Sequence, residues 1–237
     1  MASGIGRHVP GNALLTALST SDQMVLAPVL EAVALVKAHP IFQPGEPATH
    51  VWFPVSGMIS LVVLDPEGGA IEVATVGREG MTGIPFALGS ETMTCAAMVQ
   101  VPGTGFRIEG AAFRRIIDQS PTIRDMMLRY VSAAMAQMGQ NAACAHLHGL
   151  DARCARWLLL AHDDVDGDTF ALTQDYLAMM LGVTRPSVSS TASALQKIGL
   201  IRYSRGQMTI VDRAGLEAAA CACYRIVRDE FERLLAV

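Results

Sequence analysis

Two clusters of residues stand out by type and spacing as able to do chemistry. The first is Cys144-Ala145-His146-Leu147-His148, which gathers sulfur and imidazole within five residues. Such ligands suit zinc or another transition metal. Alternate positions on a helix point apart, however, and a tetrahedral site needs a fourth ligand such as Cys154 or a symmetry mate. Metal at Cys144, His146 and His148 is therefore the less expected outcome. Cys221 and Cys223 fall in an apparent final helix, where positions i and i+2 diverge, and are read as packing. The second cluster is a local excess of positive charge. Residues 171–213 hold Arg185, Lys197, Arg202, Arg205 and Arg213 against Asp175 and Asp212, a balance of +3 in a chain of net charge −4. Directly before it runs the acidic stretch Asp163-Asp164-Val165-Asp166-Gly167-Asp168. A locally basic segment in an acidic protein suits a small, directed DNA-contact face, not a general polyanion coat. Enzyme chemistry has little support, since the chain carries no nucleophile–base signature, phosphate loop or paired-carboxylate motif.

The basic segment lies within elements that can be read locally. In LTQDYLAMMLGVTRPSVSS, residues 172–190, Thr173 is placed to cap a helix ending near Leu181, and Gly182 to terminate it. Thr184 caps a second helix, and Pro186 falls in its first turn, where an amide has no intrahelical partner. Counting from Gln174, Ala178 is fifth, Gly182 ninth and Val188 fifteenth. A small residue for close crossing, a glycine for positive φ and an apolar residue packing into the corner make a helix-turn-helix. Leu177, Leu181 and Leu195 fill its interior. Beyond it, Ile201 and Tyr203 alternate against Met208 and Ile210 around Ser204-Arg205-Gly206-Gln207, a β-hairpin with a basic tip. Helix-turn-helix followed by hairpin is a winged helix.

The rest of the chain, 237 residues of which 51% are hydrophobic and 17% charged, is that of a globular protein. No apolar run approaches the ~20 residues that span a bilayer, and MASGIGRHVPGN lacks the apolar segment of a secretory signal. Five cysteines without a framework spacing fit a reducing cytoplasm. Residues 13–38 read as helical, with Ser19 or Ser21 as caps and Pro28 interrupting. From 41 to 108, short apolar runs (VWFPV, MISLVVL, AIEVATV, CAAMVQV, TGFRI) separated by Gly and Pro turns predict an antiparallel roll or sandwich. Ser120-Pro121 then starts a helix in which Ile123, Met127, Tyr130, Ala134 and Met138 recur at spacings of four and three. That seam fits a core helix on its own sheet or a helix pairing with a symmetry mate. The dimer is preferred because Met126, Val131 and Met135 widen the apolar face. Gly149 and Asp151 break this helix and cap the next. The chain thus divides into a β-roll (1–120), a long helix with its hinge (121–148) and a winged helix-turn-helix with a C-terminal helix (149–237), an α+β protein.

This arrangement resembles the cyclic-AMP receptor protein/Fnr (Crp/Fnr) family of bacterial transcription regulators. The resemblance runs from FQPGEPATHVWFPVSGMISLV through VATVGREGMTGIPFALG to LTQDYLAMMLGVTRPSVSSTASALQKIGLIRYSRGQMTIVD, and the last segment is the most specific. It implies a cyclic-nucleotide-binding-like sensor, a dimerisation helix and a helix, 184–198, that reads the major groove. In that reading Arg185, Ser187, Ser189 and Ser190 touch base edges, with Arg185 able to place two donors on guanine. Thr173, Gln174, Thr184, Lys197, Arg202 and Arg205 become phosphate contacts, which position without specifying. Better-known members carry Glu beside this Arg and a second Arg further on; Pro186 and Ser190 stand here, so their target sequence is not expected. Nucleotide-binding members also use an Arg to hold the cyclic phosphate, whereas GIPFALGSETMTCAAMVQV has no Arg or Lys, so cyclic AMP and cyclic GMP are not expected to bind. The N-terminal cysteine cluster of iron–sulfur members has no counterpart before Cys95. His39, His50, His146 and His148 are available to a haem, although a lone His is usually satisfied or solvated. The expected partners are double-stranded DNA with a near-palindromic site, a second copy of the chain, RNA polymerase and an unidentified small-molecule effector, with no membrane. The competing expectation is a sensing or interaction module whose helical domain docks on protein.

Overall fold

The computed structural model describes residues 11–67 and 69–236; the stretch bearing on a secretory signal lies mostly in residues 1–10, outside them. Helices α1 (Ala13–Thr16) and α2 (Thr20–Leu26) lead in, capped by Asn12 and Ser19, whose side chains accept from the amides of Leu15 and Asp22. A 3-10 turn over Ala27–Val29 contains Pro28. The helix expected to continue to residue 38 stops there. Strand β1 (Glu31–Leu35) pairs antiparallel with residues 103–107 instead. A helix preference of tenths of a kcal/mol per residue is readily outweighed by a full set of ladder hydrogen bonds.

Strands β2 (Pro40–Phe42), β3 (His50–Leu64), β4 (Ala70–Val76) and β5 (Ala96–Glu109) complete an antiparallel sheet ordered β1-β5-β3-β4, with β2 also on β5. VWFPV and MISLVVL lie on one continuous strand, β3, and CAAMVQV and TGFRI on another, β5. The chain bends where the sequence suggests a break. Gly57 takes φ +79°, and the β3–β5 register shifts between Pro54 and Ile59. A Cβ on Gly103 would stand 2.1 Å from the Ser56 carbonyl oxygen, so only glycine lets the two strands cross at this bulge. Helix α3 (Ile84–Ala87) lies between β4 and β5, and α4 (Gly110–Gln119), which the sequence reading did not separate, follows β5.

Helix α5 (Pro121–Leu147) starts as expected, with the Ser120 hydroxyl accepting from the Ile123 amide at 3.3 Å. The seam assigned to a partner, however, is turned inward. Ile123, Met127, Tyr130 and Ala134 are at most 3% exposed and belong to the protomer's own core. One side is covered by the β-roll and the other by α10 (Cys223–Leu235), which contributes Val227, Phe231 and Leu234. The Tyr130 hydroxyl donates to the Met81 carbonyl at 2.7 Å, and its ring centroid lies 6.1 Å from that of Phe231. Met138, last of the seam, is half-buried beside a cavity in the β-roll. A wide apolar face does need cover on two sides, and here the chain supplies both.

The remaining elements are α6 (Leu150–Asp163), β6 (Thr169–Ala171), α7 (Gln174–Leu181), α8 (Arg185–Lys197), β7 (Ile201–Ser204), β8 (Gln207–Ile210) and α9 (Arg213–Ala219). They form a second core that also takes in Met58, Val62 and Val101 of the β-roll. Two acidic residues, Glu72 and Asp164, fasten the halves. Trp157 of α6 donates its indole N–H to Glu72 of β4 at 2.8 Å, and Ser60 donates to the same carboxylate. Asp164, from the acidic run, is buried; its carboxylate accepts from the Arg78 amide at 3.0 Å and its carbonyl from the Gly57 amide at 2.6 Å. Among the described residues no helix is long and apolar enough to cross a membrane.

Candidate nucleic-acid interface

The corner of the helix-turn-helix forms for the reasons its residues suggest. The Thr173 hydroxyl accepts from the Tyr176 amide at 3.3 Å and so fixes the start of α7. Gly182 ends α7 at φ +64°, and the following Val183 amide returns to the Ala178 carbonyl at 3.0 Å. Ala178, Leu177, Leu181, Val188 and Leu195 are all buried in the corner. Thr184 caps α8, Arg185 is its first residue and Pro186 lies beside it in the first turn, exposed. The Asp151 carboxylate, at the start of α6, accepts from Thr191 at 2.8 Å and Arg153 donates to the Leu181 carbonyl at 2.5 Å, which locks the corner onto α6. Asp151 was read from sequence only as a break and cap for α6, and Arg153 was not singled out, because both contacts join helices distant along the chain.

On the outer side of α8 the expected residues divide. Arg185 is exposed, its side chain at 64%, and pairs loosely with Asp175 at 3.5 Å. An exposed pair of this kind is worth about 0–1 kcal/mol and yields readily to a stronger anion. Ser189 and Ser190 are exposed. Ser187 is half-buried and its hydroxyl lies 2.9 Å from that of Thr184, so those two side chains serve the cap first. Thr173 and Gln174 are half-buried at the head of α7.

The wing is a three-stranded sheet ordered β6-β8-β7. Arg205 at φ +50° and Gly206 at φ +76° occupy the two central turn positions. Positive φ at both is the type I′ geometry that matches strand twist, and it presents Arg205 at the tip. The Tyr203 amide donates to the Gln196 side chain at 2.7 Å, holding the wing to α8. Lys197, Arg202 and Arg205 are exposed, whereas Arg213 is consumed internally. It donates to Asp163 at 2.6 Å, Glu217 at 3.0 Å and the Tyr224 hydroxyl at 2.7 Å. The accessible basic face is therefore Arg185, Lys197, Arg202 and Arg205.

In the β-roll, a cavity of about 340 Å³ is lined by Phe42, Leu61, Met81, Met93, Cys95 and Met138 among others, with Thr82, Ser90, Thr92 and Thr94 as its hydroxyl groups. Its lining contains neither Arg nor Lys. Cys95 is half-buried there, and burial pushes its thiol up.

Comparison with known proteins agrees with both halves. Residues 32–120 match the cyclic nucleotide-binding domain family and residues 152–219 the Crp-like helix-turn-helix domain family. The chain is 24% identical over 200 residues, 81% of its length, to a CRP-like cAMP-activated global transcriptional regulator of Mycobacterium tuberculosis, 88% of which is covered. It is equally identical to the transcriptional regulator SdrP of Thermus thermophilus, over 81% of this chain and 95% of that one. Among solved structures it shares the fold of FixK2 from Bradyrhizobium japonicum, with a TM-score of 0.67 at 16% identity, covering 82% of this chain and 98% of that one. Carrying a cyclic-nucleotide-binding β-roll, a long helix and a Crp-like helix-turn-helix in one chain, the protein belongs to the Crp/Fnr family of transcription regulators.

Proposed function

We propose that this regulator acts as a homodimer that reads a near-palindromic DNA site with the N-terminal end of α8, its half-sites about one helical turn apart. The observation that carries this is the placement of Arg185 as the exposed first residue of α8, paired among the described residues only with the solvent-facing carboxylate of Asp175. In the groove Arg185 gives two donors to a guanine, Ser189 and Ser190 contact neighbouring edges, and Lys197, Arg202 and Arg205 take phosphates. Thr173, Gln174, Thr184 and Ser187 shape the two helix starts and offer their remaining donors to the backbone.

The partner-facing surface is a different stripe of α5 from the inward seam. Leu128, Ser132, Met135, Gly139 and Ala142 are all exposed and recur at spacings of four and three. That is a heptad seam, with small residues that let two helices approach closely. Dimerisation through it supports the two-fold symmetry of the site.

The β-roll cavity suits a largely apolar, uncharged effector. A cyclic phosphate placed there would meet hydroxyls but no cation, so cyclic AMP and cyclic GMP are not its signal. Met138 belongs both to the cavity wall and to α5, so occupancy bears directly on the helix that leads to Gly149. The signal shifts the population of DNA-competent hinge arrangements. The dimer thereby controls access of RNA polymerase in the cytoplasm.

Fluorescence anisotropy on a selected site tests the reading head. Arg185→Ala lowers affinity for that site by about 1–3 kcal/mol, roughly 5–150-fold, and affects scrambled DNA far less. Lys197→Ala weakens both by a similar factor. If Arg185→Ala leaves specific affinity unchanged in a folded dimer, α8 is not the reading element.

A further inference from the structure

The cysteines read as packing turn out to be gathered. Cys221 does not lie in α10: it sits in the turn between α9 and α10, and Cys223 is the helix's first residue. That bend brings both thiols onto the C-terminal end of α5. Cys144 Sγ lies 3.5 Å from Cys221 Sγ, and Cys223 Sγ lies 3.5 Å from His148 Nδ1. All four ligand atoms fall within 4.8 Å of one another. His146 is exposed and turned back to the carbonyl of Ala142, while Cys154 lies in the second core, so neither belongs to the group.

We propose that Cys144, His148, Cys221 and Cys223 form a tetrahedral zinc site that clasps the end of the long helix to the turn between α9 and α10. Zn–S bonds of about 2.3 Å and Zn–N bonds of about 2.1 Å in a tetrahedron set S···S at about 3.8 Å and S···N at about 3.5 Å. Two pairs stand at 3.5 Å and no pair is beyond 4.8 Å, so side-chain adjustments of about 1 Å would bring the four atoms to this geometry. Three sulfurs and one imidazole are a donor set that zinc favours and that magnesium or calcium do not. The spacing is also right for a closed site. Cys144 and His148 are one helical turn apart and share a face, and Cys221-Ala222-Cys223 supplies two ligands from one bend.

The surroundings suit a metal site. Gln140 directs a side-chain N–H at Cys223 Sγ at 3.0 Å, the outer contact that steadies a ligating thiolate. Binding releases three thiol protons to solvent and leaves the zinc centre with a net charge of −1. Arg156 is buried next to Cys144 and acts on it as a positive charge. One bond of this guanidinium goes to the Asn141 side chain at 2.8 Å, and its Nε has no hydrogen-bond partner among the described residues.

The site has a mechanical meaning in this fold. His148 is the last residue before Gly149, the N-cap of α6, so the ion would tie the two sides of the hinge. The proposal does not depend on what α8 reads, and its test is correspondingly separate.

Full-length protein purified with reductant and without chelator should carry about one zinc per protomer by elemental analysis. Exchange for cobalt should produce the visible bands of a tetrahedral ion and the near-ultraviolet absorption of sulfur-to-cobalt charge transfer. His148→Gln and Cys223→Ser should each abolish that spectrum, while Cys95→Ser, outside the cluster, should leave it intact. Because a cysteine variant can fail to fold, Gln140→Ala provides a second reading: zinc loss to a competing chelator should become about 10–100-fold easier in a protein of unchanged circular dichroism. The proposal is overturned if the folded, reduced protein is metal-free and gives no tetrahedral cobalt spectrum. It is equally overturned if Cys144 and Cys221 are found joined as a disulfide in protein isolated under reducing conditions, or if the spectrum persists in Cys223→Ser.

Discussion

Replacing Glu72 by Gln should remove a specific pH dependence from the protein's stability. Glu72 lies at the seam between the β-roll and the DNA-binding half, where burial raises its carboxyl to about 7, against hydrogen bonds from Ser60 and Trp157 that favour the anion. An unfolded Glu titrates near 4.5. For an acid whose folded value is raised, the folded state holds more protons than the unfolded one between those two values, so stability falls as pH rises. The loss begins near pH 4.5, is complete above about pH 7, and amounts to at most about 3–4 kcal/mol, since one unit is 1.36 kcal/mol. Asp164 and Glu79 are raised by the same cause, burial, and tilt the curve in the same direction. The informative quantity is therefore the difference between wild type and variant. Gln keeps an oxygen for the Trp157 indole but does not titrate. The two proteins should be of similar stability near pH 4.5, and the variant should be the more stable at pH 8. Urea unfolding followed by Trp157 fluorescence would register this as a midpoint shift of about 1 M, for a slope of roughly 2–3 kcal/mol/M. If the difference between the two proteins is the same at pH 5 and pH 8, Glu72 is not held as described.

Three further outcomes follow from the geometry. Gly77→Ala would place a Cβ 2.0 Å from a carboxylate oxygen of Asp164, so the acidic loop must shift; we expect a loss of about 1–3 kcal/mol and faster limited proteolysis near Gly149. Met135 is 66% exposed on the outward stripe of α5, so Met135→Asp should convert dimer to monomer in sedimentation while leaving the thermal unfolding of the protomer nearly unchanged, an outcome that Met127→Asp, at a buried position, could not give. Asp175→Asn removes the only acidic group paired with Arg185 among the described residues and should tighten DNA binding a few-fold while changing stability by less than about 1 kcal/mol, as circular dichroism melts and anisotropy would record.

The parts of this protein legible in its sequence are those whose cause is local. Thr173, Gly182, Thr184 and Gly206 each answer a need within a few residues of themselves, for a cap, a left-handed turn or a tight hairpin, and the winged helix-turn-helix follows from them. What escaped depended on partners far along the chain. EAVAL at 31–35 looks helical until a strand edge more than sixty residues away offers it hydrogen bonds. The periodicity of Ile123, Met127, Tyr130 and Ala134 is visible, but a period does not say whether a second copy or α10 covers it. Arg213 counts toward local charge in the sequence, yet Asp163, Glu217 and Tyr224 remove it from the exposed face. The start of α10 shows how sharply such readings depend on boundaries. Had the helix begun two residues earlier, Cys221 and Cys223 would diverge; beginning at Cys223, it lets them converge on Cys144 and His148.

A dimer that reads DNA through α8 should select its own site from a random DNA pool, and sequencing the selected pool shows whether it does. We expect enrichment of a two-fold symmetric motif with half-sites about 10 base pairs apart, centre to centre. Binding to it should weaken steeply with salt, with a slope approaching about −5 if Lys197, Arg202 and Arg205 of both protomers each neutralise a phosphate. A pool that stays unenriched after selection, with binding that barely responds to salt, would rule out α8 as a DNA-reading helix and leave the helical domain as a surface for protein.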